Sequence, residues 1–131
     1  IGRGSFIEDI SGSELDILGG GFLRINLISA GNTNTADDPV EGLIGYPQGR
    51  NYAFSNVRVT NGSTLVDATK IAAEKPLAGL TLQNITGNCT NGISLANITG
   101  VKLRGIHVTG WKAPFLTHTN VQGTGLVEPK P

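Results

Sequence analysis

Between Leu77 and Gly123 the sequence writes one short pattern twice, and that repetition restricts what the chain can fold into. A β-rich run, Leu77-Ala78-Gly79-Leu80-Thr81-Leu82-Gln83-Asn84-Ile85-Thr86-Gly87, is followed by a second, Gly92-Ile93-Ser94-Leu95-Ala96-Asn97-Ile98-Thr99-Gly100. Val101-Lys102-Leu103-Arg104-Gly105-Ile106-His107-Val108 then replays the first run, and Phe115–Gly123 replays the second. Matching Ile85 to Ile106 gives a period of 21 residues; matching Ile98 to Val121 gives 23. A period of this size, with short apolar-alternating strands set off by Gly and Asn, is the signature of a solenoid. The Leu80/Leu82 and Val101/Leu103 alternation has the period of a strand, not a helix. Each unit is too small to bury its own apolar face, so successive units must stack, and the expected fold is a parallel β-helix.

The pattern extends upstream. Phe6-Ile7-Glu8-Asp9-Ile10 and Glu14–Leu18 alternate apolar with polar, the glycines Gly19-Gly20-Gly21 make a turn, and Phe22–Ile28 is the strongest strand. With Leu23, Ile25 and Leu27 turned into the core, Phe22, Arg24 and Asn26 project outward. Asn51–Val59 and Ser63–Asp67 restore the two runs. The pairs Leu15/Leu23, Val57/Leu65, Ile85/Ile93 and Ile106/Phe115 are 8, 8, 8 and 9 residues apart, which implies about four stacked coils in a single domain over residues 1–131. The stretch from about residue 30 to 50 breaks the rhythm as an inserted loop, so Leu15 and Val57 stand 42 residues apart while Val57 and Ile85 stand 28 apart. Lys70–Lys75 suits a helical turn or a loop, and residues 124–131 form a Pro-containing tail.

Composition agrees and narrows the partners. Nineteen glycines, no Met and few helix formers describe an all-β, turn-rich chain of 131 residues. Zero net charge with 15% charged residues gives no pull toward nucleic acid or an anionic membrane, and no apolar run is long enough to span one. The single Cys89 excludes an internal disulfide and reads as an incidental residue of a polar turn. The sequence opens on Ile1 in mid-pattern, so it is expected to be a fragment of a longer helix, with any targeting signal upstream.

Several segments have a familiar look. Phe6-Ile-Glu-Asp-Ile, Arg50-Asn-Tyr-Ala-Phe-Ser-Asn-Val-Arg-Val, Gly79-Leu-Thr-Leu-Gln-Asn-Ile-Thr-Gly and Gly105-Ile-His-Val-Thr-Gly resemble the C-terminal coils of glycoside hydrolase family 28, the polygalacturonase and rhamnogalacturonan hydrolase group. The resemblance spans essentially the whole chain, through ladder motifs that recur in many β-helices. It implies a right-handed parallel β-helix, secreted or periplasmic, acting on pectic polysaccharide without a cofactor. Such enzymes hydrolyse galacturonosyl linkages with inversion, using two carboxylates separated widely enough to admit a water. The family's Asn-Thr-Asp, paired Asp, Gly-His-Gly and Arg-Ile-Lys segments are not clearly present. Gly2-Arg3-Gly4-Ser5 resembles the run just after Arg-Ile-Lys, which places the chain immediately past the catalytic centre.

Candidate site residues follow from that placement. Arg24 and Asn26 lie on the strand that corresponds by order to the floor of the family's groove, where a guanidinium can clamp a galacturonate carboxylate; the plain alternative is a surface Arg paired with Asp16 or Asp67. Ser29 stands where family members often carry Tyr, and Tyr46 is the substitute candidate for stacking on a sugar, unless it only anchors its loop. Arg3 completes the binding set. Asp37 and Asp38 superficially mix the family's Asn-Thr-Asp and Asp-Asp, but they follow the Phe6–Ile10 segment, whereas the family's carboxylates precede it. A solvated turn is the plainer reading, and a Ca²⁺ site with Glu41 is another. His107 and His118 lack metal-ligand neighbours, Trp111 should pack under the last turn, and the sequon residues Asn61, Asn84, Asn88 and Asn97 are read as rungs bonded to stacked counterparts rather than as glycosylation sites. The expected partners are a polysaccharide and either upstream coils of the same parent chain or another copy stacked end to end, because a cut solenoid exposes an unpaired apolar coil. Two other readings remain, a non-catalytic adhesin or tailspike-like β-helix and an antiparallel β-sandwich carbohydrate-binding module.

Overall fold

The computed structural model describes residues 6–28 and 48–127. Among them the regular structure is all strand: β1 (Phe6–Leu18), β2 (Leu23–Asn26), β3 (Gln48–Lys70), β4 (Leu77–Thr109) and β5 (Leu116–Thr124). Every pairing is parallel, which sets aside the antiparallel sandwich. The sheet order is β1-β3-β4-β5, with β2 also on β3, so each strand lies beside the next long strand in sequence.

These strands cannot be straight. At roughly 3.3 Å per residue, the 33 residues of β4 would reach about 110 Å, several times the size of a compact chain this long. Residues in the left-handed region supply the bends: Asn84 (φ 56°), Asn97 (φ 58°), Gly100 (φ 68°) and Gly105 (φ 62°) in β4, with Asn51, Asn56 and Asn61 doing the same in β3. Asn and Gly are the residues that tolerate this conformation. The end of β4 thereby returns to its start. The Thr109 hydroxyl donates to the Gly87 carbonyl at 3.3 Å, and the Lys112 amide donates to the Thr90 carbonyl at 3.0 Å.

The register stacks like on like. Leu15 lies beside Val57 and Val57 beside Ile85, so the 42- and 28-residue offsets in the sequence are the offsets of the sheet. Ile98 lies beside Val121 at the 23-residue offset. Val57, Val59, Leu80, Leu82, Ile85 and Ile98 are essentially without solvent contact, and the inward positions form one apolar core. Each such side chain contributes about 1.5–3 kcal/mol relative to exposure, which is what holds one strand over another.

Beside the core rows run ladders of side-chain amides. Asn51 Nδ2 donates to Asp9 at 2.7 Å, Asn56 Nδ2 to Glu14 at 2.8 Å, Asn84 Nδ2 to Asn56 at 3.2 Å, Asn88 Nδ2 to Asn61 at 3.1 Å and Asn120 Nδ2 to Asn97 at 2.9 Å. Asn97 Nδ2 in turn donates to the Ile71 carbonyl. All four sequon asparagines are therefore engaged in cross-strand hydrogen bonds. The Glu14–Asn56–Asn84 column closes at Gly105, where an added Cβ would sit 2.6 Å from Asn84 Oδ1.

The structure corrects four expectations. Leu23 and Ile93 both pair with Val66, and Ile93 pairs with Leu116, so the second-run equivalents are Val66 and Leu116, one residue beyond Leu65 and Phe115. Neighbouring apolar residues, Leu65-Val66 and Phe115-Leu116, hid the true phase. Phe22 does not project outward: it is half-buried and meets Phe54 edge-on, with ring centroids 5.6 Å apart. Cys89 is not a turn residue but a buried member of the core, in β4 beside Gly62. β3 begins at Gln48, inside the segment expected as loop. Of the two alternatives for Lys70–Lys75 the loop holds: Lys70 ends β3 and residues 71–76 form a turn without a helix, with the Lys75 amide donating to the Ala72 carbonyl at 3.1 Å.

Candidate functional site

The alternation that buries Ile25, Val66, Ala68, Ile93 and Leu95 turns their neighbours outward. Register then aligns four of these into one polar row across four strands: Arg24 of β2 beside Asp67 of β3, Asp67 beside Ser94 of β4, and Ser94 beside Thr117 of β5. Successive rungs of a parallel sheet are about 4.8 Å apart, so the row extends over about 14 Å. The Thr117 hydroxyl donates to Ser94 Oγ at 3.1 Å, and the Thr69 hydroxyl donates to Asp67 Oδ1 at 2.7 Å. Alongside lies an open groove of about 450 Å³, lined by Asp67, Asn91, Ser94 and Thr117, with Thr64, Thr69, Pro114 and Phe115 at its sides.

Arg24 is exposed at the head of this row and forms no ion pair with Asp67, Asp16 or any other described residue. Planar bidentate pairing with a carboxylate is what such a five-donor fork does best. Asn26 is also exposed, but its Oδ1 accepts the Ile28 amide at 3.1 Å, and the register shifts between Arg24 and Asn26 so that Asn26 lies beside Lys70. Asn26 therefore ends its strand with a local side-chain turn. Tyr46, Arg3, Asp37 and Asp38, as well as Ser29 and Glu41, lie outside the described residues.

A second groove, of about 510 Å³, opens on another face. Asp16, Arg58 and Thr86 are register neighbours there, joined at the groove wall by Glu14, Asn56, Asn84 and His107. Sequence reasoning passed over it, though the signal was available. Asp16, Arg58, Thr86 and His107 each follow immediately on Leu15, Val57, Ile85 and Ile106, so any outward residue one step past a matched core residue belongs to one row.

Cys89, Tyr52 and Trp111 belong to the packing. Burial pushes the Cys89 thiol above its ordinary value, which keeps it protonated and a poor nucleophile or metal ligand. Burial likewise raises the Tyr52 hydroxyl. Trp111 is half-buried, donates Nε1–H to the Val108 carbonyl at 2.9 Å and tilts against Phe115 with centroids 5.1 Å apart, so it packs rather than offering a bare ring. His107 and His118 are exposed, and no group of three or more His, Cys, Asp or Glu among the described residues can hold a metal ion.

Fold and site together define an all-β protein whose bent parallel strands carry polar rows and open grooves on their outer faces. Compared with known protein families, characterised proteins and solved structures, the chain finds no match.

Proposed function

We propose that the bent strands are about four coils of a right-handed parallel β-helix, and that the chain is the C-terminal part of a secreted or periplasmic glycoside hydrolase acting on pectic polysaccharide. In this reading an inverting, polygalacturonase-like reaction runs on two carboxylates in coils preceding Ile1. The present residues extend the floor of the groove, where Arg24 receives a uronate carboxylate and the hydroxyl row receives sugar hydroxyls. The observation that carries the reading is the row Arg24–Asp67–Ser94–Thr117 beside a polar groove, headed by a guanidinium without an ion-pair partner among the described residues. The matched 42-, 28- and 23-residue register supports the stacked-coil part of it.

A non-catalytic, saccharide-binding β-helix is the second reading. It is favoured by the described lining of that groove, which holds a single carboxylate, Asp67, where hydrolysis needs two.

Reducing-sugar release from polygalacturonate and rhamnogalacturonan separates them, measured on this chain and on the longer product carrying the preceding residues. Activity in the longer product alone is the expected result. Activity of the 131 residues by themselves would overturn the placement of the carboxylates upstream and return attention to Asp37 and Asp38. No activity in either, with binding to polygalacturonate lost on Arg24→Ala, would establish the second reading.

A further inference from the structure

The groove of about 510 Å³ on the second face has a polar row of its own. Asp16 of β1 lies beside Arg58 of β3 and Arg58 beside Thr86 of β4, while His107, 21 residues after Thr86 as Ile106 is after Ile85, lines the same groove. All four are exposed, each following a residue that packs in or against the core: Leu15, Val57, Ile85 and Ile106. Arg58 and Thr86 belong to strands paired on both sides, and side chains leave a sheet across the direction of strand pairing. Further strands at either edge would therefore lengthen this row and cover none of it. At about 4.8 Å per rung its four residues extend over about 14 Å, the scale of a short oligomer.

This row repeats the chemistry of the Arg24 row in a separate place. Each sets one guanidinium beside one carboxylate and continues into uncharged hydroxyl or imidazole groups. The two grooves share no lining residue, and Asn61, at φ 54°, bends β3 between Arg58 and Asp67. Asp16 and Arg58 are adjacent in register yet form no ion pair with each other, whereas Glu14 accepts the Asn56 amide at 2.8 Å. Asn56 and Asn84 each place one N–H in the ladder, and a side-chain amide has two. Donors and acceptors thus mix along one groove. That mixture suits a ligand bearing carboxylates and hydroxyls together: the guanidinium takes a carboxylate through two parallel bonds, and a hydroxyl donates to Asp16 while accepting from an amide. A nucleic acid suits it poorly, because no Phe, Tyr or Trp lines the groove for stacking and two carboxylates stand where phosphates would lie.

We infer that this groove is a second binding site for an acidic saccharide, so that one molecule engages two saccharide segments on different faces. Arg58 receives the carboxylate there, as Arg24 does on the first face, and Thr86, His107 and the ladder amides receive hydroxyls. The choice of a uronate as the sugar rests on the carbohydrate reading of the Arg24 row.

The test is isothermal titration calorimetry of the 131-residue chain with tetragalacturonate. Two equivalents bound per chain are expected, falling to one in Arg58→Ala, to one in Arg24→Ala and to none in the double variant. The site that each single variant retains reports that it is folded. Arg58→Lys keeps the charge and loses the planar fork, so it should weaken the second site by about tenfold while leaving the first unchanged. A single equivalent that Arg24→Ala abolishes and Arg58→Ala leaves intact overturns the inference and leaves the carbohydrate reading standing. Two equivalents indifferent to Arg58 overturn it as well. Binding that depends on Arg58 and not on Arg24 upholds the site inferred here and removes Arg24 from the first one. No binding to the unaltered chain overturns both.

Discussion

At the scale of single residues, the asparagines carry two tasks at once. Asn84 holds a left-handed backbone at φ 56° and donates a ladder hydrogen bond to Asn56 at 3.2 Å, while exposed to solvent. Alanine removes the rung, worth about 1 kcal/mol net, and places a Cβ where the backbone resists it, at about another 1 kcal/mol. Glycine removes only the rung. Asn84→Ala should therefore lower the unfolding free energy by about 2 kcal/mol and Asn84→Gly by about half that, read from denaturant midpoints at constant slope. Equal losses would show that the turn conformation is not what selects Asn. Glu14 obeys the same local rule with a residue far less suited to it. It sits at φ 55° because its column mates Asn56, Asn84 and Gly105 all turn there, and its carboxylate takes the Asn56 amide.

At the scale of strands, what matters is position within a row. Ile85 is flanked by β3 and the returning end of β4 and is fully buried, whereas Leu15, in the same row, belongs to the outermost strand and is half-buried. Truncation to alanine at Ile85 should cost about 2–5 kcal/mol, while Leu15→Ala should cost about 1 kcal/mol, because solvent already reaches that side chain. Thermal and denaturant unfolding of the two variants would read the difference; a comparable loss at Leu15 would mean that the β1 end is sealed. Row membership was legible in the sequence wherever a lone apolar residue marked the phase, as for Leu15, Val57 and Ile85. It slipped by one at Leu65-Val66 and Phe115-Leu116, where two adjacent apolar side chains both suit an inward position and only the backbone register chooses. Arg24 was legible as an outward residue by alternation alone. Its row mates Asp67, Ser94 and Thr117 were not, since naming them requires that same register. Cys89 was misread for a related reason: Asn88 and Thr90 look like a turn, but in a strand with bends the polar neighbours face out while the thiol faces in.

At the scale of the whole molecule, stability should be graded along the sheet. Parallel strands joined edge to edge make nearest-neighbour contacts only, so each protects the next and the outer ones open first. β3 and β4 are paired on both sides and contain the side chains with essentially no exposure, while β1 and β5 are each paired on one side and show a predominance of exposed positions. Native-state hydrogen exchange should accordingly find its slowest amides around Val57–Val59 and Leu80–Ile85, with exchange quickening toward β1 and toward β5. Uniform protection would mean that the molecule opens as one cooperative unit, and that the half-buried ends of the core rows are no weaker than their middle.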